Sequence, residues 1–410
     1  MKLVSTLAMA AALLGGATVA QAAREKPAAA AGSYSPKLGE KYRPAAATAQ
    51  AAIKANDATA KDKLAALDSL SNTPDEKYTT ASLRLQLAQQ TNDQPLLRQA
   101  VEDMISSGSQ AATPNMPRLL LAAGQAAYNA NDNVKAADYL NRAVAAGSTN
   151  SDTYVMLAEV NFRSKQYQPG LDALEKAIAA QKAAGQPVPA TWYKRGSSVA
   201  YNAKLPDASR WTRLELQANP TKENWRSALV VYRDSGKQDN AATLDIYRLM
   251  RATGSIAGER DYYEYAALAN DRGLPGEAKA VVEEAYASGV PRSSTALSQI
   301  YAAANAKLAG DRATLAASER QAANSATGRI AANTGDAYLA YGDYAKAVTL
   351  YRMALQKGGV ETDLINLRLG IALARSGDAA GARTALASVK GQRAELANFW
   401  TLYLDTRAAA

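Results

Sequence analysis

One register recurs along this chain, and it constrains the fold more than composition does. Gly335, Tyr338, Gly342, Ala347, Tyr351 and Ala354 return 35 residues later as Gly370, Leu373, Gly377, Ala382, Leu386 and Val389. Relative to the first small residue, a bulky one stands at +3, Gly at +7, a small one at +12, a bulky one at +16 and a small or apolar one at +19. In a chain this rich in Ala, which should be mostly helical, such a register has a reason in packing. Small residues let the backbones approach where the helices cross, and bulky ones fill the flanks. Gly sits in the turn, where a left-handed conformation costs it little.

Walking the register backward gives anchors at Ala60, Leu97, Ala136, Gly170, Ala208, Ala242, Ala278, Leu315, Ala347 and Ala382. Their mean spacing is about 36 residues, in the range of helical-hairpin repeats. The units at Ala60, Leu97 and Leu315 fit least well. Gln181 to Pro189, with Gly185, Pro187 and Pro189, is expected to loop out between units.

This pattern resembles the tetratricopeptide repeat. The resemblance implies an all-α chain, a right-handed α-solenoid of about ten TPR-like hairpins over residues 44–391. Residues 392–410, with Leu396, Phe399, Trp400 and Tyr403, are expected to form a capping helix and tail. Open stacks need such a cap.

In this family the first helix of each hairpin lines a concave surface. Projected onto this chain, that face holds Arg118, Gln125, Tyr128, Glu159, Phe162, Arg163, Tyr193, Ser197, Tyr201, Arg226, Arg233, Arg260, Tyr263 and Asn270. Aromatic bodies with polar tips and Arg forks suit peptide or protein recognition. The family's peptide clamp for a terminal carboxylate uses Asn where this chain has Gln125, Glu159 and Ser197, so that mode is not expected.

The chain contains no His and no Cys. That removes the imidazole base, the Ser-His-Asp triad, thiol chemistry and thiolate metal sites. There is no Gly-x-Ser-x-Gly elbow and no Gly-rich phosphate loop. Adjacent carboxylates such as Glu283 and Glu284 point about 100° apart on a helix and share no site. We therefore expect no enzyme, no catalytic residue, no metal and no cofactor.

Lys2, the apolar run to Val19 and Ala20-Gln21-Ala22 read as a secretory signal, residues 1–22, cleaved between Ala22 and Ala23. The mature chain is then expected to be periplasmic or secreted, with no membrane span. Residues 23–43 are rich in Ala, Pro and Gly, and read as a disordered linker. The formal charge is +9, yet no run of five basic residues occurs. Export argues against nucleic acid, and an envelope protein or peptide is the expected partner. The function expected is a non-catalytic scaffold of the bacterial envelope. The alternative is a glycan- or exopolysaccharide-binding component of an envelope export or assembly system, an anionic polymer serving as ligand.

Overall fold

The computed structural model describes residues 34–235 and 238–408. The expected signal segment, its cleavage point at Ala22 and Ala23, and linker residues 23–33 lie outside the described residues. Twenty α-helices and no strand occur among the described residues. The described residues divide into two compact units, one up to Trp192 and one from Tyr193 onward.

In the first unit the helices are α1 (Tyr42–Lys54), α2 (Ala60–Asp68), α3 (Pro74–Thr91) and α4 (Gln94–Ser106). After a short 3-10 turn come α5 (Met116–Asn129), α6 (Asn133–Ala145), α7 (Ser151–Arg163) and α8 (Tyr167–Ala183). Consecutive helices pair as hairpins, and each hairpin packs on the next.

The second unit begins with α9 (Ala190–Asn202), α10 (Ala208–Ala218), α11 (Lys222–Arg233) and α12 (Asn240–Ala252). It continues with α13 (Gly258–Asp271), α14 (Pro275–Ala287), α15 (Thr295–Asn324) and α16 (Arg329–Tyr341). It ends with α17 (Tyr344–Lys357), α18 (Thr362–Ser376), α19 (Ala379–Ala387) and α20 (Ala394–Ala408).

The register residues meet as their offsets require. A Cβ on Gly335 would lie 2.9 Å from the Tyr351 ring, and one on Gly370 would lie 2.6 Å from Leu386. In each case the small residue at the start of the register receives the bulky one at +16. The crossing distance is therefore set by hydrogen at one position and a large side chain at the other.

The turns follow the same register. Asn92, Asn131, Gly342 and Gly377 have φ of 55°, 61°, 76° and 94°. Each is followed by an Asp that caps the next helix. The carboxylates of Asp93, Asp132, Asp343 and Asp378 accept from the N–H of Leu96, Lys135, Lys346 and Gly381. Each capping Asp also donates its own N–H to a carbonyl five residues back, closing the end of the preceding helix.

The unit expected at Leu315 is different. Its Gly310-Asp311 pair copies the turn dipeptide, yet α15 runs straight through it for 30 residues. At +3 and +16 the two units that follow it place Tyr338 and Tyr351, then Leu373 and Leu386, whereas this one has Ala306 and Glu319. A fold-back there would bury too little to offset the hydrogen bonds broken at a turn. Nine hairpins and one long rod thus stand among the described residues.

Two further expectations are corrected. The loop expected from Gln181 begins later, because α8 continues to Ala183. The linker expected over residues 23–43 is fixed from Tyr34 onward. Tyr34 Oη and the Lys37 N–H donate to Asp75 at 2.7 Å each, and the Gly39 N–H donates to Glu76 at 3.0 Å. Composition hides this strap, because the groups that hold it belong to α3.

The second unit closes on itself. Every residue from Leu244 to Met250 in α12 is buried. An amphipathic rod at an edge would bury only a stripe. Around α12 stand α11, α13 and α20, and side chains reach it from α14 and α18. The last helix, α20, packs on α18 and α19 and also on α12. Its Glu395 pairs with Arg213 of α10 at 2.5 Å, and its Phe399 ring lies 5.6 Å from that of Tyr232 in α11.

Candidate functional site

The residues expected on the inner face fall into three groups. Phe162, Tyr193 and Ser197 are buried. Phe162 packs on Gly170, where a Cβ would lie 2.4 Å from its ring. Ser197 donates to Glu215 of α10. These three belong to the hairpin interiors and are removed from the expected surface.

A second group serves contacts between helices. Arg226 of α11 pairs with Asp261 of α13, which also accepts the Ala257 N–H at 3.0 Å. Arg233 donates to the Tyr247 hydroxyl at 2.6 Å, and that hydroxyl donates to Glu264 at 2.5 Å. Glu264 accepts in turn from Arg260 at 2.7 Å. Asn270 is half-buried on α13. Arg226 and Arg233 are spoken for by the fold, since their forks end on carboxylates of the same unit.

The third group faces solvent. In the first unit, Arg118 is exposed on α5, and Gln125 and Tyr128 are half-buried one turn apart. From α7, Arg163 lays its guanidinium 3.6 Å from the centre of the Tyr128 ring and donates to the Tyr128 carbonyl at 3.4 Å. Glu159, one turn earlier on α7, is half-buried. Gln125, Tyr128, Glu159 and Arg163 therefore form one patch across two successive first helices. In the second unit, Tyr201 is 57% exposed and Tyr263 is 42% exposed, each on a different helix.

Sequence reading missed the charged interior of the second unit. Asp245 of α12 is fully buried and accepts from Arg248 at 2.7 Å and from Arg368 of α18 at 3.3 Å. Arg248 grips Glu277 through two bonds of 2.8 and 2.6 Å, and Tyr265 donates to the same carboxylate at 2.6 Å. Arg368 also reaches Asp336 at 2.5 Å, which accepts from Tyr351 at 2.7 Å. Alternating register positions gave no sign of this, because 123 residues separate Asp245 from Arg368.

The network fixes the pH response. Burial, reinforced by Glu277, pushes the Tyr265 phenol well above its ordinary 10.0, and burial with Asp336 does the same for Tyr351. Burial alone would raise Glu277, but the Arg248 guanidinium overrides it and holds the carboxyl below its usual 4.5. The raised phenols contribute stability that is full below their unfolded value and is lost as pH rises past it. The depressed Glu277 contributes stability that is present above 4.5 and is lost as pH falls through its folded value. With no His and no Cys, no side chain of ordinary pKa titrates between them. The expected melting temperature is flat from about pH 5.5 to about pH 9, then falls above about pH 10. Melts followed by circular dichroism test this, and a slope through neutrality would contradict it.

Also unforeseen is a cleft of about 900 Å³ in the second unit, beside α20. It opens among Pro220, Lys222 and Trp225 on one side, the end of α12 on another, and Arg375, Tyr403 and Arg407 on the third. Among the described residues, no cluster of three carboxylates could hold a metal ion, and no helix is long and apolar enough to cross a membrane.

No family model matches the sequence, and no curated protein matches it. Solved structures do align with it. MamA protein is 17% identical, with 47% of this chain and 93% of that one covered, at a TM-score of 0.31. A tetratricopeptide repeat protein from Parabacteroides merdae is 14% identical, covering 71% of this chain and 99% of that one at 0.26. The TPR2AB domain of yeast Sti1 in complex with pHSP90 is 13% identical, covering 72% and 97% at 0.25. At such identities and scores these alignments say nothing of shared function. The crossing pairs, the left-handed turns and the capping carboxylates described above make this an all-α chain of tetratricopeptide-like hairpins.

Proposed function

We propose that this chain is a non-catalytic scaffold that binds a partner polypeptide on its first helices. The observation that carries the reading is the patch on α5 and α7. There Arg163 stacks on Tyr128 at 3.6 Å beside Gln125 and Glu159. The stack holds a planar cation and a ring in fixed places at the solvent boundary, so little side-chain entropy is lost when a partner docks. The absence of His and Cys fits a scaffold better than an enzyme. The reading extends to export through residues 1–22 and to a role in the cell envelope, on the strength of the signal-like sequence alone.

A photo-crosslinking residue at Arg118, in the full chain expressed in its host, should yield a discrete polypeptide adduct. The pair Tyr128→Ala and Arg163→Ala should reduce that adduct at least about tenfold, the scale on which interface anchors act. Unchanged adducts in the double variant would remove the patch from the reading. Adducts to carbohydrate alone would favour the glycan-binding alternative.

A further inference from the structure

The cleft beside α20 is separate from the patch on α5 and α7, and the reading above makes no use of it. All of its lining residues belong to the second unit. It holds three cations: Lys222 at the start of α11, Arg375 at the end of α18 and Arg407 at the end of α20. All three are exposed. Arg375 donates to the Tyr344 hydroxyl at 3.3 Å and lies 5.7 Å from the Tyr344 ring. Arg407 donates to the Tyr403 hydroxyl at 3.1 Å and lies 5.6 Å from its ring. Among the described residues, no carboxylate lies within ion-pair distance of any of the three. One acid lines the cleft, Asp405, and it pairs with Arg383 at 2.6 Å. Elsewhere in this unit most buried or half-buried Arg forks end on carboxylates, as Arg213, Arg226, Arg248, Arg368 and Arg393 do. Here the forks are steadied by phenols, which leave the positive charge unneutralised.

The floor limits what can fill the space. Trp225 and Tyr403 are buried, so neither offers a free aromatic face of the kind on which sugar rings stack. Pro220, Ala252 and Leu402 give the lining apolar surface, and Gln217, Thr253 and Thr406 supply neutral polar groups. A volume of about 900 Å³ admits a short extended peptide.

We infer that this cleft is a second docking site, for an acidic polypeptide segment whose carboxylates meet Arg375, Arg407 and Lys222 while an apolar side chain rests on Leu402 and Ala252. Two Arg forks match carboxylate geometry, which a lysine-only surface would not.

The test uses the full mature chain and a fluorescein-labelled decapeptide alternating Glu and Leu, followed by anisotropy at low salt. Binding should weaken as salt rises. The pair Arg375→Gln and Arg407→Gln should weaken binding at least tenfold, and Asp405→Lys should tighten it at least threefold. Tyr128→Ala with Arg163→Ala should leave it unchanged, which separates this site from the one on α5 and α7. An oligogalacturonate of equal charge should compete at least tenfold less well than unlabelled peptide. Unchanged affinity in the Arg375/Arg407 variant, with native circular dichroism, would overturn the proposal. So would a failure of Asp405→Lys to tighten binding, or equal competition by the oligogalacturonate.

Discussion

Asp245→Ala should cost about 3–5 kcal/mol of stability, the usual penalty for removing one partner of a buried ion pair. The carboxylate is fully buried, and two guanidiniums converge on it, from Arg248 at 2.7 Å and Arg368 at 3.3 Å. Without it, two cations in a dry interior share only Glu277 and Asp336. Chemical denaturation followed by circular dichroism measures the loss. A change under about 1 kcal/mol would show that the network is not a buried one in the sense of the penalty. The companion variant Asp245→Leu with Arg368→Met separates the causes. Replacing ion-pair partners by apolar groups of similar volume is often neutral or better, so the pair should recover most of the loss. No recovery would mean that shape, and not charge, sets the requirement.

Phe399→Ala should cost about 3–5 kcal/mol, as large aromatic truncations in cores do. Phe399 and Trp400 are fully buried on α20. Phe399 tilts against Tyr232 at 5.6 Å, and Trp400 meets Tyr403 edge-on at 5.5 Å. Together with Arg393, which reaches Asp239 at 2.8 Å and Glu361 at 2.9 Å, these rings hold the end of the chain on α11 and α12. The variant should therefore raise hydrogen exchange in α11 and α12 as well as at α20. A loss confined to α20, with α11 and α12 still protected, would show that the closure is not held by this ring.

The parts of the fold legible in the sequence are those set by neighbours. Gly335 with Tyr351, and Gly370 with Leu386, are pairs 16 residues apart, so a single register reports them. The turns at Asn92, Asn131, Gly342 and Gly377 are equally local, since each needs one left-handed residue and one capping Asp. Gly310-Asp311 shows where this reasoning fails. The dipeptide is right, but a turn forms only when the helix beyond it has apolar surface to return, and Glu319 stands where Tyr351 and Leu386 stand elsewhere. The binding face was legible only as a face. Phase along a first helix cannot tell an open arginine from one that ends on a carboxylate 35 residues away, as Arg226 does on Asp261. It cannot separate a solvent-facing aromatic from Phe162, which fills the space left by Gly170. The closure, and with it the cleft, depends on pairs such as Arg213 with Glu395, 182 residues apart, which leave no periodic trace.

The closure has a bearing on how the chain is made. A ribosome delivers α12 long before Arg368 and the rings of α20, so a buried carboxylate and a helix covered on all sides in the finished fold must wait for their cover. Nascent chains fold from the N-terminal side as they emerge. The first unit, whose contacts run between successive hairpins, suits that schedule. The second cannot reach its final state until α20 has emerged, and stopping before residue 394 would leave α12 with a bare flank and a strong tendency to aggregate.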